Sequence, residues 1–138
     1  MVDPDRVRER LGRLEPLLAL LDEVRTSSEQ AYFSAFHTKL ATQHALQLAV
    51  QICIDVGAHL IAELGLPLAD DYGGVFSRLE EAEILDADLA GRLRKAAGLR
   101  NLLVHGYAEV DDRKVWEALA GLDDLRDYAA AVNRAISG

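Results

Sequence analysis

The sequence over Ala45–Leu64 reads ALQLAVQICIDVGAHLIAEL. Its strongly polar residues recur every four positions, at 47, 51, 55, 59 and 63. On a helix of about 3.6 residues per turn, such a row shifts by about 40° at each step and winds slowly around an otherwise apolar rod. The pattern predicts a helix that is surrounded on most sides, at the centre of a bundle or in a dimer interface. Ionisable groups interrupt the stretch too often for a membrane span, so we expect no membrane partner.

Start and stop signals on both sides of this rod predict four further helices. The central helix is expected from about Ser28 to Leu64, with Gly65 and Pro67 as stop signals. The others are expected over about Asp3–Arg25, Val75–Ile84, Asp88–Val104, and Asp111 or Asp112 to Ile136. Pro16 predicts a kink or break in the first helix. We therefore predict an all-α fold, an up-and-down bundle of about five helices that forms one domain over residues 1–138.

Composition narrows the classes of function. The net charge of −8 argues against a general nucleic-acid-binding protein, because such proteins usually present a basic surface. The single cysteine, Cys53, lies in an apolar run, which excludes an intrachain disulfide and indicates a core position. The N-terminus is charged and lacks the apolar stretch of a signal peptide. We therefore expect a cytoplasmic protein.

The charge is reversed locally in the fourth predicted helix. Between Leu89 and Ala108, Arg92, Arg94, Lys95 and Arg100 occur without any acidic residue. Two interpretations stay open. The cations either contact a phosphate chain over a short length, or they stabilise the C-terminal half of the helix through its dipole. On the first interpretation, Arg92, Arg94 and Lys95 are candidate substrate-binding residues.

Arg100 falls near the middle of the apolar sector of this helix, where a guanidinium is costly unless it is paired. It is bound either to a carboxylate such as Asp55, which would fix helix packing, or to a phosphate in a cleft or dimer seam. His105 lies five residues later and points about 140° away on an ideal helix. The two side chains therefore converge only if the helix breaks at Gly106 or if two copies of the helix end meet. Asn101 can hydrogen-bond either His105 or an incoming phosphate.

The segment RNLLVHGY, Arg100–Tyr107, resembles the Arg-x4-His-x-Tyr signature of HepT toxins in the HEPN superfamily. The resemblance covers most of the chain. Ala45–Gly65 is similar to the central helix of the family, including Asp55 and His59, and the sequence AEVDDRKVWEAL after Tyr107 is similar as well. The resemblance implies a HEPN-like helical bundle that forms a homodimer, in which each protomer contributes Arg100 and His105 to one composite cleft.

The resemblance also implies a function: the toxin of a HepT/nucleotidyltransferase toxin–antitoxin system, a metal-independent ribonuclease that needs no cofactor. Arg100, His105 and Asn101 would be its catalytic residues. His105 would accept or donate a proton, Arg100 would neutralise charge in the transition state, and Asn101 would orient His105 or the phosphate. The implied partner is a nucleotidyltransferase antitoxin that uses ATP and transfers AMP to Tyr107. The added charge beside the cleft would repel RNA.

Many relatives carry an acidic residue and an arginine where Gln43 and His44 align, and the loss of that charge pair removes one contact to the cleft or the partner. Asp55 and His59 are expected to hydrogen-bond each other inside the bundle. Messenger and transfer RNA are both candidate substrates.

Two other functions compete with the enzyme. The chain is alternatively a non-catalytic helical binding partner of a nucleotidyltransferase, which the acidic net charge favours. In a third interpretation, the chain is a helical interaction module, and Arg100 serves only to hold the fold together. His37 and His44 are seven residues apart and can share a helix face, but no clear third ligand lies nearby, so we expect no metal site.

Overall fold

The computed structural model describes residues 2–105 and 110–137, and it contains no β-strand in those ranges. In chain order the α-helices are α1 (Pro4–Gly12), α2 (Leu14–Thr26), α3 (Glu29–Ser34), α4 (Phe36–Glu63), α5 (Tyr72–Glu81), α6 (Ala87–His105), α7 (Asp112–Ala118) and α8 (Leu122–Ser137). A short 3₁₀-helix over Leu119–Gly121 joins α7 to α8. The predicted all-α fold class is confirmed.

The apolar rod, helix α4, lies at the centre of the bundle. It contacts each of the other seven α-helices of the described ranges. Its buried residues are Thr42, Ala45, Leu46, Ala49, Val50, Cys53, Ile54, Val56, Gly57, Leu60 and Ile61. By length and composition α4 could cross a membrane, but 56% of its most apolar 18-residue window is buried inside the fold. The surrounding helices therefore account for most of its apolar surface.

The end of α4 follows the predicted stop signal. Gly65 adopts a φ of 67°, a left-handed conformation that glycine reaches without steric cost. The amide of Gly65 donates to the carbonyl of Ala62, and the amide of Leu66 donates to the carbonyl of Ile61. This pair of hydrogen bonds satisfies carbonyl groups that the last helical turn would otherwise leave unpaired.

Two of the predicted helices are broken at positions that no local sequence signal marks. The first breaks at Arg13 rather than at Pro16, which is the third residue of α2. Proline fits there because the first-turn amides have no acceptor within the helix. The predicted central helix is divided at Ala35, whose backbone is extended, so that Glu29–Ser34 forms the separate helix α3. Tyr32 in α3 is fully buried and packs against Trp116 of α7, a tertiary contact that favours the break.

Carboxylate caps set the remaining helix starts. Asp71 accepts a hydrogen bond from the amide of Gly74, so α5 begins at Tyr72, three residues earlier than predicted. Asp86 caps α6 by accepting from the amide of Leu89, and Asp111 caps α7. Each cap satisfies an amide that has no partner within its helix. The last predicted helix is divided by the 3₁₀-helix and then continues to Ser137.

The crossing of α4 with α5 and α8 is closely packed. A Cβ atom added at Gly57 would lie 2.5 Å from Val75 Cγ1 and 2.9 Å from Tyr128 Oη. The hydroxyl of Tyr128 donates a 2.8 Å hydrogen bond to the backbone carbonyl of Cys53. Cys53 is fully buried, and burial raises the pKa of its thiol to about 12. The cysteine therefore belongs to the core, as predicted.

Candidate active site

The predicted site residues lie on the last turns of α6. This helix packs against α4, α5 and α8 through a buried side formed by Leu89, Ala90, Leu93 and Ala97. The helix remains continuous through His105, one residue beyond the predicted end at Val104. Gly106, one possible place for a helix break, and Tyr107, the predicted modification site, lie outside the described residues.

Arg100 is half-buried and has an unusual set of contacts. Its Nη1 donates a 3.1 Å hydrogen bond to Oδ1 of Asn101. Its Cζ lies 4.8 Å from the centre of the Tyr72 ring, a cation–π contact with the start of α5. Its Nε is buried and has no hydrogen-bond partner among the described residues.

The structure does not support the interpretation that Arg100 is bound to a carboxylate. In the described part of the chain, no ion pair involves Arg100. Asp55 is exposed and accepts a 2.7 Å hydrogen bond from Nε2 of Gln51 instead. The expected hydrogen bond between Asp55 and His59 is also wrong: no hydrogen bond joins these two described side chains, and Nε2 of His59 is buried without a partner. Arg100 therefore keeps guanidinium N–H groups that an external anion can use.

His105 is exposed at the C-terminal end of α6. Because the helix stays regular up to this residue, the side chains of Arg100 and His105 leave it about 140° apart. Asn101 shares a side of the helix with His105 at a spacing of four residues, but its Oδ1 is engaged by Arg100. Within one chain, α6 therefore directs the guanidinium and the imidazole toward different surroundings.

The three candidate substrate-binding cations have different environments. Nε of Arg92 contacts Oδ1 of Asp124 in α8 at 2.9 Å. Nη1 of Arg94 contacts Oε1 of Glu80 in α5 at 3.0 Å. Lys95 is exposed and forms no ion pair with a described residue. The two arginines face opposite neighbours of α6, so they do not form one continuous basic patch with Lys95.

A cleft of about 790 Å³ opens beside α6. Apolar side chains from α4, α6 and α8 form most of its wall: Leu46, Val50, Leu99, Leu122 and Leu125. Arg92, Lys95 and Lys114 also line it, together with Glu117 and Asp124. Two of the predicted substrate-binding residues, Arg92 and Lys95, thus share this cleft, while Arg94 lies outside it.

A polar cluster that the sequence did not reveal surrounds Asp112 at the start of α7. Its Oδ1 accepts a 2.8 Å hydrogen bond from Gln43 and a 3.5 Å hydrogen bond from Tyr32. Its Oδ2 lies 3.9 Å from Nζ of Lys39. Burial and the neighbouring carboxylate raise the pKa of the Tyr32 phenol. Gln43 therefore ties α4 to α7, whereas His44 is exposed.

Comparison with known proteins gives consistent matches. A family model described as "Ribonuclease HepT-like" matches residues 11–132. A protein of Aphanizomenon flos-aquae named tRNA nuclease HepT is 30% identical over 133 residues, covering 96% of this chain and 90% of that protein. A putative RNase of Archaeoglobus fulgidus is 34% identical over 116 residues, covering 84% and 86% of the two chains.

Solved structures share the fold. The tri-AMPylated HEPN toxin of Shewanella oneidensis, determined in complex with its MNT antitoxin, superposes with a TM-score of 0.86 at 21% identity, over 97% of this chain and 99% of that one. YutE of Bacillus subtilis, a cytosolic protein of unknown function, gives a TM-score of 0.85 at 21% identity, over 98% and 91% of the two chains. These two likenesses establish the helical architecture.

Proposed function

Because the chain belongs to the HepT-like ribonuclease family, we propose that it is the toxin of a toxin–antitoxin pair and cleaves RNA with Arg100 and His105. The family membership confirms the predicted family and the predicted enzyme class. One observation carries the proposal for the site. Arg100 is half-buried, and its guanidinium has no carboxylate partner among the described residues. The guanidinium can therefore pair with a phosphate, whereas an arginine that fixes helix packing would already be paired with a carboxylate.

The proposed reaction needs only proton transfer and charge stabilisation. His105 accepts the proton of a ribose 2′-hydroxyl, and that oxygen attacks the adjacent phosphorus. The bond from phosphorus to the 5′-oxygen breaks, and a protonated imidazole supplies a proton to the leaving oxygen. Arg100 neutralises the charge that develops on the phosphoryl oxygens. Asn101 holds the guanidinium in place through its hydrogen bond to Nη1.

We propose that the cleft is completed by a second copy of the chain. The regular course of α6 separates Arg100 from His105 by about 140° within one protomer, so a single helix end does not combine them. A two-fold axis near the helix ends brings the arginine of one protomer toward the histidine of the other. Two histidines in one cleft also allow one imidazole to act as base while the other acts as acid.

Among the basic residues, Lys95 is the strongest candidate for a phosphate contact, because it forms no ion pair with a described residue. Arg92 and Arg94 would contact RNA after exchanging Asp124 and Glu80 for phosphate. Both pairs are partly exposed, and ion pairs that water reaches contribute about 0–1 kcal/mol. The exchange therefore costs little.

We place this activity in the cytoplasm.

The proposed partner is a nucleotidyltransferase antitoxin that uses ATP. The phenolic oxygen of Tyr107 attacks the α-phosphorus of ATP, pyrophosphate leaves, and the phenol proton passes to solvent or a base of the antitoxin. The support is the likeness to a toxin solved in AMPylated form with its antitoxin, and to a toxin–antitoxin complex solved with AMP-PNP. The resulting phosphodiester places negative charge two residues from His105, where it repels RNA.

Coexpression with a nucleotidyltransferase of the MNT antitoxin type tests this account. We expect mass spectrometry to find AMP on Tyr107 of the wild type, with cellular RNA intact. The Tyr107→Phe variant lacks the acceptor oxygen, so it should stay unmodified and cleave RNA despite the antitoxin. An unmodified wild type in cells with intact RNA would contradict AMPylation. Intact RNA after expression of the wild type alone would contradict the nuclease and favour the non-catalytic partner.

The acidic surface favours that second candidate function. The net charge of −8 opposes close approach of RNA outside the basic segment of α6. A non-catalytic partner of a nucleotidyltransferase would need only the helical scaffold. It would be modified at Tyr107 without any effect on RNA, which the same coexpression experiment reveals.

A further inference from the structure

We propose that Tyr72 is a positioning residue of the ribonuclease site, whose ring holds the Arg100 guanidinium where it meets the scissile phosphate. This inference rests on the function proposed above and extends it to a residue on another helix. Tyr72 is the first residue of α5, whereas Arg100 lies in the fourth turn of α6. Their contact, with Cζ 4.8 Å from the ring centre, is made across the junction of the two helices.

Two side chains contact the guanidinium of Arg100 in the described ranges, the Tyr72 ring and Asn101. Asn101 accepts one hydrogen bond from Nη1, and Nε has no partner among the described residues. A carboxylate in the same place would also hold the guanidinium, but it would occupy the N–H groups and oppose a phosphate. The face of an aromatic ring attracts the cation without consuming those donors. The contact therefore holds Arg100 in place and keeps its hydrogen-bonding capacity for the substrate.

The backbone that carries the ring is anchored at the start of α5. The carboxylate of Asp71 caps α5 through the amide of Gly74 at 2.6 Å, which fixes the first turn that carries Tyr72. Arg94 then links α6 to α5 through Glu80 and the hydroxyl of Ser77. The side chain of Tyr72 is nevertheless 41% exposed, so the pair lies at the surface, where a phosphate can reach it.

Two substitutions distinguish the effect of the aromatic face from the effect of the apolar bulk of Tyr72. Tyr72→Phe keeps the aromatic face and is the matched control, whereas Tyr72→Leu keeps apolar bulk and removes the face. We expect Tyr72→Leu to lower kcat for RNA cleavage by about 3- to 30-fold, with KM changed less than about 2-fold. Tyr72→Phe should stay within about 2-fold of the wild type in both constants. In the Arg100→Ala background, Tyr72→Leu should have no further effect, because its action passes through Arg100.

A second readout reports on the contact without requiring activity. The Nε–Hε resonance of Arg100 should be shifted upfield by the ring current in the wild type and in Tyr72→Phe, and should return toward its usual position in Tyr72→Leu. Thermal unfolding of each variant checks that the fold is retained. An unshifted resonance in the wild type would overturn the proposal, as would a kcat in Tyr72→Leu equal to that of the wild type. The proposal would also be overturned if Tyr72→Leu lowered kcat by the same factor in the wild type and in the Arg100→Ala background.

The two readouts also distinguish this inference from the function on which it rests. If the wild type shows the shifted resonance but cleaves no RNA, the ribonuclease function fails, and the role of Tyr72 in the reaction fails with it. If the wild type cleaves RNA but the resonance is unshifted, only the positioning role of Tyr72 fails.

Discussion

Replacing either Arg100 or His105 by alanine should reduce RNA cleavage by about 10²- to 10⁴-fold. General acid–base help from a positioned side chain typically accounts for about 10²–10⁴ in rate, and one charge-stabilising donor accounts for about 10²–10³. Both losses should appear mainly in kcat, because both groups act most strongly in the transition state. The measurement is single-turnover cleavage of a short labelled RNA by each purified variant.

Matched substitutions make this result specific. Arg6→Ala and His37→Ala remove the same side-chain types from exposed positions that are not part of the proposed site, and both variants should cleave at the wild-type rate. The wild type should also retain its rate in excess EDTA, because the proposed chemistry uses no metal. A wild-type rate in Arg100→Ala or His105→Ala would remove these residues from the mechanism, and a rate abolished by EDTA would contradict metal independence.

Gly57→Ala should destabilise the fold by about 1–2 kcal/mol. The added Cβ would lie 2.5 Å from Val75 Cγ1 and 2.9 Å from Tyr128 Oη, so α4 must move away from α5 and α8. A contact this short places the cost of overpacking in the upper part of its usual range, at about 2–3 kcal/mol, and the better helix propensity of alanine offsets about 1 kcal/mol of it. For a chain of this length, we expect the Tm to fall by about 3–8 °C in a thermal unfolding scan.

Gly98→Ala is the matched control, because Gly98 also lies inside a helix but has nothing within 4 Å of the added Cβ. There the same substitution should stabilise the fold by about 0.5–1 kcal/mol, since only the propensity changes. Adding Val75→Ala to Gly57→Ala should cost less than the sum of the two single changes, because the valine methyl is the closest obstacle. A raised Tm in Gly57→Ala would contradict the close packing of the helices at this crossing.

The sequence predicted the parts of the fold that local chemistry decides. The near-continuous apolar run of α4 indicated its central position, and the stop at Gly65 follows from the preferences of helix ends. The division at Ala35 was missed because no proline or glycine marks it. It accompanies the burial of Tyr32 against Trp116, which is 84 residues away along the chain, and no local pattern reveals such a contact.

The site was predictable as a set of residues but not as a set of contacts. Asp55 has a polar neighbour four residues away on each side, Gln51 and His59, and equal spacing cannot decide which one it binds. The structure selects Gln51. Arg92 and Arg94 are two residues apart, which places them about 200° apart around a helix. They therefore form ion pairs with different neighbouring helices, which the number of cations in the segment does not show. The contact of Tyr72 with Arg100 depends on how α5 and α6 pack.

The central claim is that two protomers combine their Arg100 and His105 side chains in one RNA-cleaving cleft. The most direct test is cleavage by a heterodimer of Arg100→Ala and His105→Ala subunits, isolated by tandem purification on two different tags. Its matched control pairs a wild-type subunit with a subunit that carries both substitutions.

Each of these heterodimers holds one arginine and one histidine per cleft. In the Arg100→Ala/His105→Ala heterodimer the two residues come from different subunits, whereas in the control they leave one helix about 140° apart. We therefore predict that the Arg100→Ala/His105→Ala heterodimer cleaves RNA about tenfold or more faster than either single-variant homodimer, and faster than the control. An active control beside an inactive Arg100→Ala/His105→Ala heterodimer would show that each chain works with its own pair of side chains, and would contradict the composite cleft.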